Sequence, residues 1–112
     1  MFQPKLSVIT VVYNDVKGIE RTMLSVLNQT YLNIEYILID GLSTDGTLDI
    51  IKKYQDRIKS IIEKDAGIYD AMNKGLAIAT GDYILFMNSG DEIYASDTVD
   101  KIFATTNDAD IY

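Results

Sequence analysis

The 112-residue sequence contains no cysteine and no histidine. The first absence removes disulfides and thiolate chemistry. The second removes every mechanism that needs an imidazole, including the usual zinc sites and the Ser-His-Asp triad. Positive charge is also scarce: ten Lys and Arg stand against seventeen Asp and Glu, for a net charge of −7. That balance argues against a nucleic-acid partner, which requires a basic surface. There is no apolar run of roughly 18 residues, the length a membrane-spanning helix requires. The opening stretch, Met1 to Asn14, lacks a basic region and a small-residue cleavage site and reads as a first strand, not a signal peptide.

What remains is 47% hydrophobic and 24% charged, the composition of an ordinary globular domain, and the length allows one such domain with a proper core. Strands and helices alternate. Leu6 to Val12 is a β-branched, near-continuous apolar run, as expected of a strand buried on both faces. Asn14 or Asp15 can cap a following helix with Ile19, Met23, Val26 and Leu27 at helical spacing. Ile34 to Ile39 is a second buried strand ending at Asp40. Ser43, Thr44 or Asp45 can then cap a helix through Ile50, Ile51 and Tyr54. Ile58 to Ile62 predicts a short third strand. A helix follows from Ile68 to Ala79, with Thr80-Gly81 as its stop. Tyr83 to Met87 is the fourth strand, Ser96 can cap a helix over Thr98 to Thr105, and Ala109 to Tyr112 reads as the start of a fifth strand. The order implies a Rossmann-like, three-layer α/β/α fold with a mostly parallel sheet. A strand opening at the last residues suggests the N-terminal part of a longer protein. An edge left unpaired there could join a second copy and give a homo-oligomer.

In such sheets ligands bind outside the carboxyl ends of the strands. Those ends carry Tyr13-Asn14-Asp15, Asp40, Glu63-Lys64-Asp65 and Asn88-Ser89-Gly90-Asp91. Asp40, Asp65 and Asp91 are therefore expected to line one cleft, an arrangement that costs stability unless a ligand or cation uses it. Several of these residues have bland readings beside the functional ones. Tyr13 can pad the core edge, Asn14 and Asp65 can be helix caps, and Asn73 can bond neighbouring backbone. Asp45-Gly46 reads as turn chemistry, and Asp70 and Lys74 as solvated helix residues.

Four ordered segments carry a resemblance: LSVITVVYND (6–15), SVLNQTY (25–31), IEYILIDGLSTDGT (34–47) and DAGIYDAMNKGLAIATGDYILFMNSGDEIY (65–94). Together they resemble the nucleotide-binding half of the family 2 glycosyltransferases of GT-A fold, in the branch that builds bacterial surface polysaccharides. The resemblance covers essentially the whole chain as one nucleotide-diphospho-sugar-binding unit, 1–112. It implies sugar transfer with inversion from a nucleotide-diphospho-sugar to a saccharide or lipid-linked saccharide acceptor. It also implies a cytoplasmic enzyme that can sit at the inner face of the membrane. By that resemblance Val11 and Tyr13 meet the nucleotide, Asp40 reads a uracil-type base, and Asp65 contacts base or ribose. Asn73 lies near the sugar-nucleotide. Asn88 and Ser89 belong to the segment matching the Asp-any-Asp motif, in which Asp91 holds a divalent cation, Mn²⁺ or Mg²⁺. Here the chain departs from the family: Asn88 and Gly90 stand where the motif's two aspartates would be, and Asp91 keeps a carboxylate. The family's general base matches no residue of this sequence and is expected beyond Tyr112, which makes the isolated chain inactive.

Two other classes compete. A catalytically silent nucleotide-sugar-binding module fits the Gly90 departure. A receiver-like signalling module fits size and acidity, but it needs an acidic pair after the first strand, where Asp15 stands alone.

Overall fold

The computed structural model of the protein describes residues 3–105. The β-branched run Leu6–Val12 forms β1, and Ile34–Asp40 forms β2. Lys59–Ile62 and Tyr83–Asn88 form β3 and β4. All pairings are parallel, in the order β3-β2-β1-β4. Both inner strands, β1 and β2, are nearly continuous in buried residues, as a sheet covered on two faces requires.

Alternation along β1 divides the core in two. Leu6, Val8 and Val12 pack with Met23 and Val26 of α1 (Ile19–Leu27), Ile51 of α2 (Thr47–Lys53) and Val99 of α4 (Thr98–Thr105). On the opposite face Ile9, Ile37 and Ile39 pack with Ala71 of α3 (Ile68–Ile78). The result is the expected three-layer α/β/α fold. Gly75 lets α3 settle closely on the sheet: a Cβ there would lie 2.6 Å from Ile9 Cγ2. Ile84, Leu85 and Phe86 of β4 remain part exposed, because β4 pairs with β1 alone among the described strands.

A buried polar cluster closes the amino end of the sheet. Glu35 accepts hydrogen bonds from Ser7 Oγ (2.7 Å), Thr80 N (2.8 Å) and Thr80 Oγ1 (3.1 Å). Lys59 Nζ also donates to it, and Lys5 Nζ lies 3.8 Å away. Burial alone would push this carboxyl up, but the bonds from Lys59, Ser7 and Thr80 outweigh it and hold the group at about 2. In the core, the Tyr36 hydroxyl meets Thr10 Oγ1 at 2.8 Å, and burial pushes its phenol up.

Boundaries shift slightly from the sequence reading. α1 begins at Ile19 after a turn over residues 15–18, β3 begins one residue later than expected, and α3 ends at Ile78. The fifth strand expected over 109–112 lies outside the described residues.

Candidate functional site at the carboxyl edge of the sheet

The loops leaving β1 and β2 are laced together. Asn14 takes a left-handed backbone (φ 49°), and its N–H donates to Ser43 Oγ at 2.8 Å while its Oδ1 accepts from Thr44 N at 2.7 Å. Asp15 N donates to Thr47 Oγ1 (3.1 Å) and Val16 N to Asp45 Oδ2 (3.0 Å). Asp45 also accepts from Thr47 N and Oγ1 at 3.0 and 2.5 Å, the self-closing turn in which Asp is favoured. The Thr47 hydroxyl is the main cause that holds its carboxyl below the usual range.

Above this lacework opens a cleft of about 580 Å³, lined by Val11, Tyr13, Asn14, Asp15, Asp65, Ile68, Asn88 and Ser89, among others. It shares Tyr13, Asp65 and Gly67 with a hollow of about 430 Å³ that also touches Gly41, Leu42 and Lys64. On its other side it shares Val11, Ile68 and Asn88 with a groove of about 290 Å³ bounded by Tyr69, Met72, Phe86 and Asp91. The three form one trough along the carboxyl ends of the strands. Tyr13 presents an exposed ring to it (63% of the residue accessible), while Gly67 and Ile68 bring the N-terminus of α3 to its wall.

The polar loop after β4 is a tight turn. Asp91 N donates to Asn88 O (3.0 Å), and Asn88 N to Asp91 Oδ2 (3.3 Å). Its third residue, Gly90, has φ 101°, a conformation that glycine adopts without strain and side-chain-bearing residues do not. The turn is fastened to the rest of the fold by Ser89 N to Val11 O (3.1 Å), Ser89 Oγ to Asp15 Oδ2 (2.6 Å) and Gly90 N to Thr22 Oγ1 (2.8 Å).

The structure brings Val11, Tyr13, Asp65, Asn88 and Ser89 to one cleft, with Asp91 on the adjoining groove. The expected three-carboxylate cleft does not form, because Asp40 turns inward. It is fully buried, and its two oxygens accept from Ser43 N (2.8 Å) and Ser43 Oγ (2.6 Å). Ser43 in turn accepts from Asn14, so Asp40 supports the Tyr13 loop from behind. Asn73 stands exposed on α3 and lines none of the three parts of the trough. Asp65 accepts from Gly67 N at 3.1 Å, an arrangement that shapes the approach to α3. Asp70 and Lys74 are also less free than their surface reading implied. Asp70 accepts from Ala66 N (2.9 Å), which is the main cause of its lowered carboxyl pKa. Lys74 pairs with Glu63 and Asp70 and donates to Lys64 O, tying the 63–65 segment to α3.

Asp15, just after β1, and Thr22, to which the sequence alone gives no role, both fasten the 88–91 turn. The signal for Thr22 was its place among Ile19, Met23 and Val26, a polar side chain on the buried stripe of a helix. Among the described residues, no three carboxylates gather in a way that could hold a metal ion. The side-chain oxygens of the 88–91 turn are those of the Asp91 carboxylate, the Asn88 amide and the Ser89 hydroxyl, the last already donating to Asp15. Magnesium-like ions use one or two carboxylates and take their other ligands from phosphate and water, so this donor set fits a cation that a diphosphate helps to hold.

Comparison with known proteins gives a consistent picture. The family described as Glycosyl transferase family 2 matches residues 7–110. A PGL/p-HBAD biosynthesis glycosyltransferase of Mycobacterium tuberculosis is 36% identical over 108 residues, covering 93% of this chain and 42% of that protein. TuaG of Bacillus subtilis, a glycosyltransferase named for teichuronic acid biosynthesis, is 39% identical over 104 residues, covering 89% and 41%. This chain therefore spans about two-fifths of these curated relatives. Among solved structures, S. aureus TarS 1–349 in complex with UDP-GlcNAc superposes with a TM-score of 0.81 at 29% identity, over 92% of this chain and 31% of that one. The mannosyltransferase PcManGT of Pyrobaculum calidifontis, in complex with GDP-Man and Mn²⁺, shares the fold with a TM-score of 0.85 at 24% identity, over 96% and 33%.

Proposed function

The chain belongs to glycosyl transferase family 2, and on that premise we propose that it forms the donor-binding part of an inverting glycosyltransferase acting in surface-polysaccharide synthesis. Its donor is a nucleotide-diphospho-sugar, and its acceptor is a hydroxyl of a saccharide or lipid-linked saccharide. The observation that carries this reading is the single trough at the carboxyl edge, with an exposed aromatic at one end and the Asn88–Asp91 turn at the other. Tyr13 packs against the base or ribose. Asp65, which reaches the same hollow, supplies the carboxylate for base or ribose contact that Asp40, buried behind Ser43, cannot present. Ser89 and the N-terminus of α3 face the phosphates, where a helix's positive end offsets charge in an otherwise acidic chain.

Asp91, with the Asn88 amide, would hold a divalent cation against the diphosphate. When bound, such a cation stabilises the negative charge that grows on the leaving oxygen. The residues of this chain orient the donor: the ring of Tyr13 and the Asp65 carboxylate fix one end while the turn fixes the other, so the anomeric carbon is presented in one direction.

Calorimetric titration with UDP and with GDP, in the presence and absence of Mn²⁺, tests this reading on the wild type and on Asp91→Ala. Nucleotide binding strengthened by Mn²⁺ in the wild type and not in Asp91→Ala is the expected result. Binding indifferent to both metal and substitution would remove Asp91 from the site.

A further inference from the structure

Beside the apolar stripe of Ile19, Met23 and Val26, α1 and the residues just after it carry a line of polar side chains. Thr22 is fully buried, Gln29 nearly so, and Ser25 lies between them at helical spacing. Each is spent on backbone that follows β4, in the loop or at the start of α4. Thr22 Oγ1 accepts from Gly90 N at 2.8 Å. Ser25 Oγ accepts from Ile93 N at 3.1 Å. Gln29 uses both ends of its amide, donating to Ala95 O at 2.7 Å and accepting from Val99 N at 3.1 Å. The chain from Gly90 to Val99 is therefore held at successive points by α1 and by Gln29, two residues beyond its end. Thr22 has no accessible surface, so it cannot touch a donor itself.

We propose that Thr22 is a positioning residue that holds the Asn88–Asp91 turn in its metal- and diphosphate-binding geometry, while Ser25 and Gln29 fasten the chain that leaves the turn. The inference rests on the assignment of Asp91 above. Its physical basis is local. Gly90 has no side chain, and its positive-φ backbone is the point at which the turn reverses. Nothing fixes that point from within the turn except the bonds between Asn88 and Asp91. The Thr22 hydroxyl fixes it from outside, and Asp15 does the same for Ser89. Where the family motif carries a second carboxylate, this chain has a glycine whose N–H is anchored. A site reduced to one carboxylate depends more heavily on the placement of that carboxylate.

The test compares Thr22→Val, which keeps the shape and removes the hydroxyl, with Thr22→Ser, which restores it. UDP and GDP are titrated with and without Mn²⁺. The expected result is that Thr22→Val weakens the Mn²⁺-dependent part of binding by about 10–100-fold, the usual effect of losing an outer-shell partner. Metal-free binding is unchanged, and Thr22→Ser returns to the wild-type range. A wild-type metal dependence in Thr22→Val overturns the inference, as does equal weakening with and without metal. If Thr22→Val does not fold, Ser25→Ala, which releases Ile93 N two residues after Asp91, carries the same comparison. Asp91→Ala separates the two levels. Metal dependence lost there but kept in Thr22→Val sinks the positioning role alone. Metal dependence kept in Asp91→Ala sinks the assignment of Asp91 and this inference with it.

Discussion

Replacing Glu35 by Gln should remove the share of the protein's acid sensitivity that this buried carboxylate contributes. The Glu35 side chain is 4% accessible and receives donors from Ser7, Thr80 and Lys59. Its carboxyl stands at about 2 in the folded chain against a reference of 4.5. A group whose folded pKa is lowered stabilises the fold above its unfolded pKa and loses that contribution as pH falls toward the folded value. The window therefore runs from 4.5 down to about 2. At about 1.4 kcal/mol per pKa unit, the full contribution is about 3 kcal/mol at neutral pH, of which about 2 kcal/mol is gone by pH 3. Urea unfolding followed by circular dichroism at pH 7, 5 and 3 reads this directly. Wild type and Glu35→Gln should differ most at pH 7 and converge toward pH 3, with equal slopes in urea. A difference that stays constant across that range would refute the reasoning, because it would show that the charge on Glu35 contributes nothing beyond packing and neutral hydrogen bonds.

Other substitutions test other links. Gly75→Ala places a methyl 2.6 Å from Ile9 Cγ2. Overpacking of this close a contact should cost about 3 kcal/mol, offset by about 1 kcal/mol of helix propensity, for a net loss of about 2 kcal/mol. An unchanged urea midpoint with an intact fold by circular dichroism would show that α3 is free to lift from the sheet. Gly90→Asp, which restores the carboxylate of the family motif, should destabilise by about 1–2 kcal/mol at φ 101° and gain no Mn²⁺ affinity; a metal titration showing tighter binding would contradict the turn described here. Tyr13→Ala should weaken UDP and GDP binding by about 1–3 kcal/mol, the range for an aromatic platform under a base. Because Tyr13 is largely exposed, the same change should leave the melting temperature nearly unmoved, and a large drop in melting temperature would mark the ring as structural.

The sheet was legible because its strands are written in β-branched runs that allow little else. Leu6–Val12 and Ile34–Asp40 appear where the apolar runs stand, and all four described strands are parallel as the alternation with helices requires. The site was legible as an edge and as a set of strand-end residues. It was not legible as a set of side-chain directions. Asp40 and Asp65 look alike in sequence, each following an apolar strand, yet Asp40 is consumed by Ser43 three residues on while Asp65 lines the cleft. That difference is set by the turn each loop takes, which composition does not encode. Asp15 looked like a cap, and its Oδ1 does accept from Gly18 N at 3.2 Å, but its second oxygen reaches Ser89 across 74 positions of sequence. Glu35 left no mark at all: a lone acidic residue in a strand suggests an exposed face, and its burial depends on lysines and a threonine that arrive from three other segments.

The central position of β1 has a consequence for how the chain is made. Its first residue pairs with Ile34 on one side and Tyr83 on the other, so the second partnership joins residues 77 positions apart. At a synthesis rate of about 5–20 residues per second, roughly 4–15 s pass between the emergence of the two. During that interval one flank of a largely apolar strand has no partner, beside a β2 that has already emerged. A pause in synthesis before Tyr83 would lengthen the interval in which that flank, interior in the finished sheet, stays open.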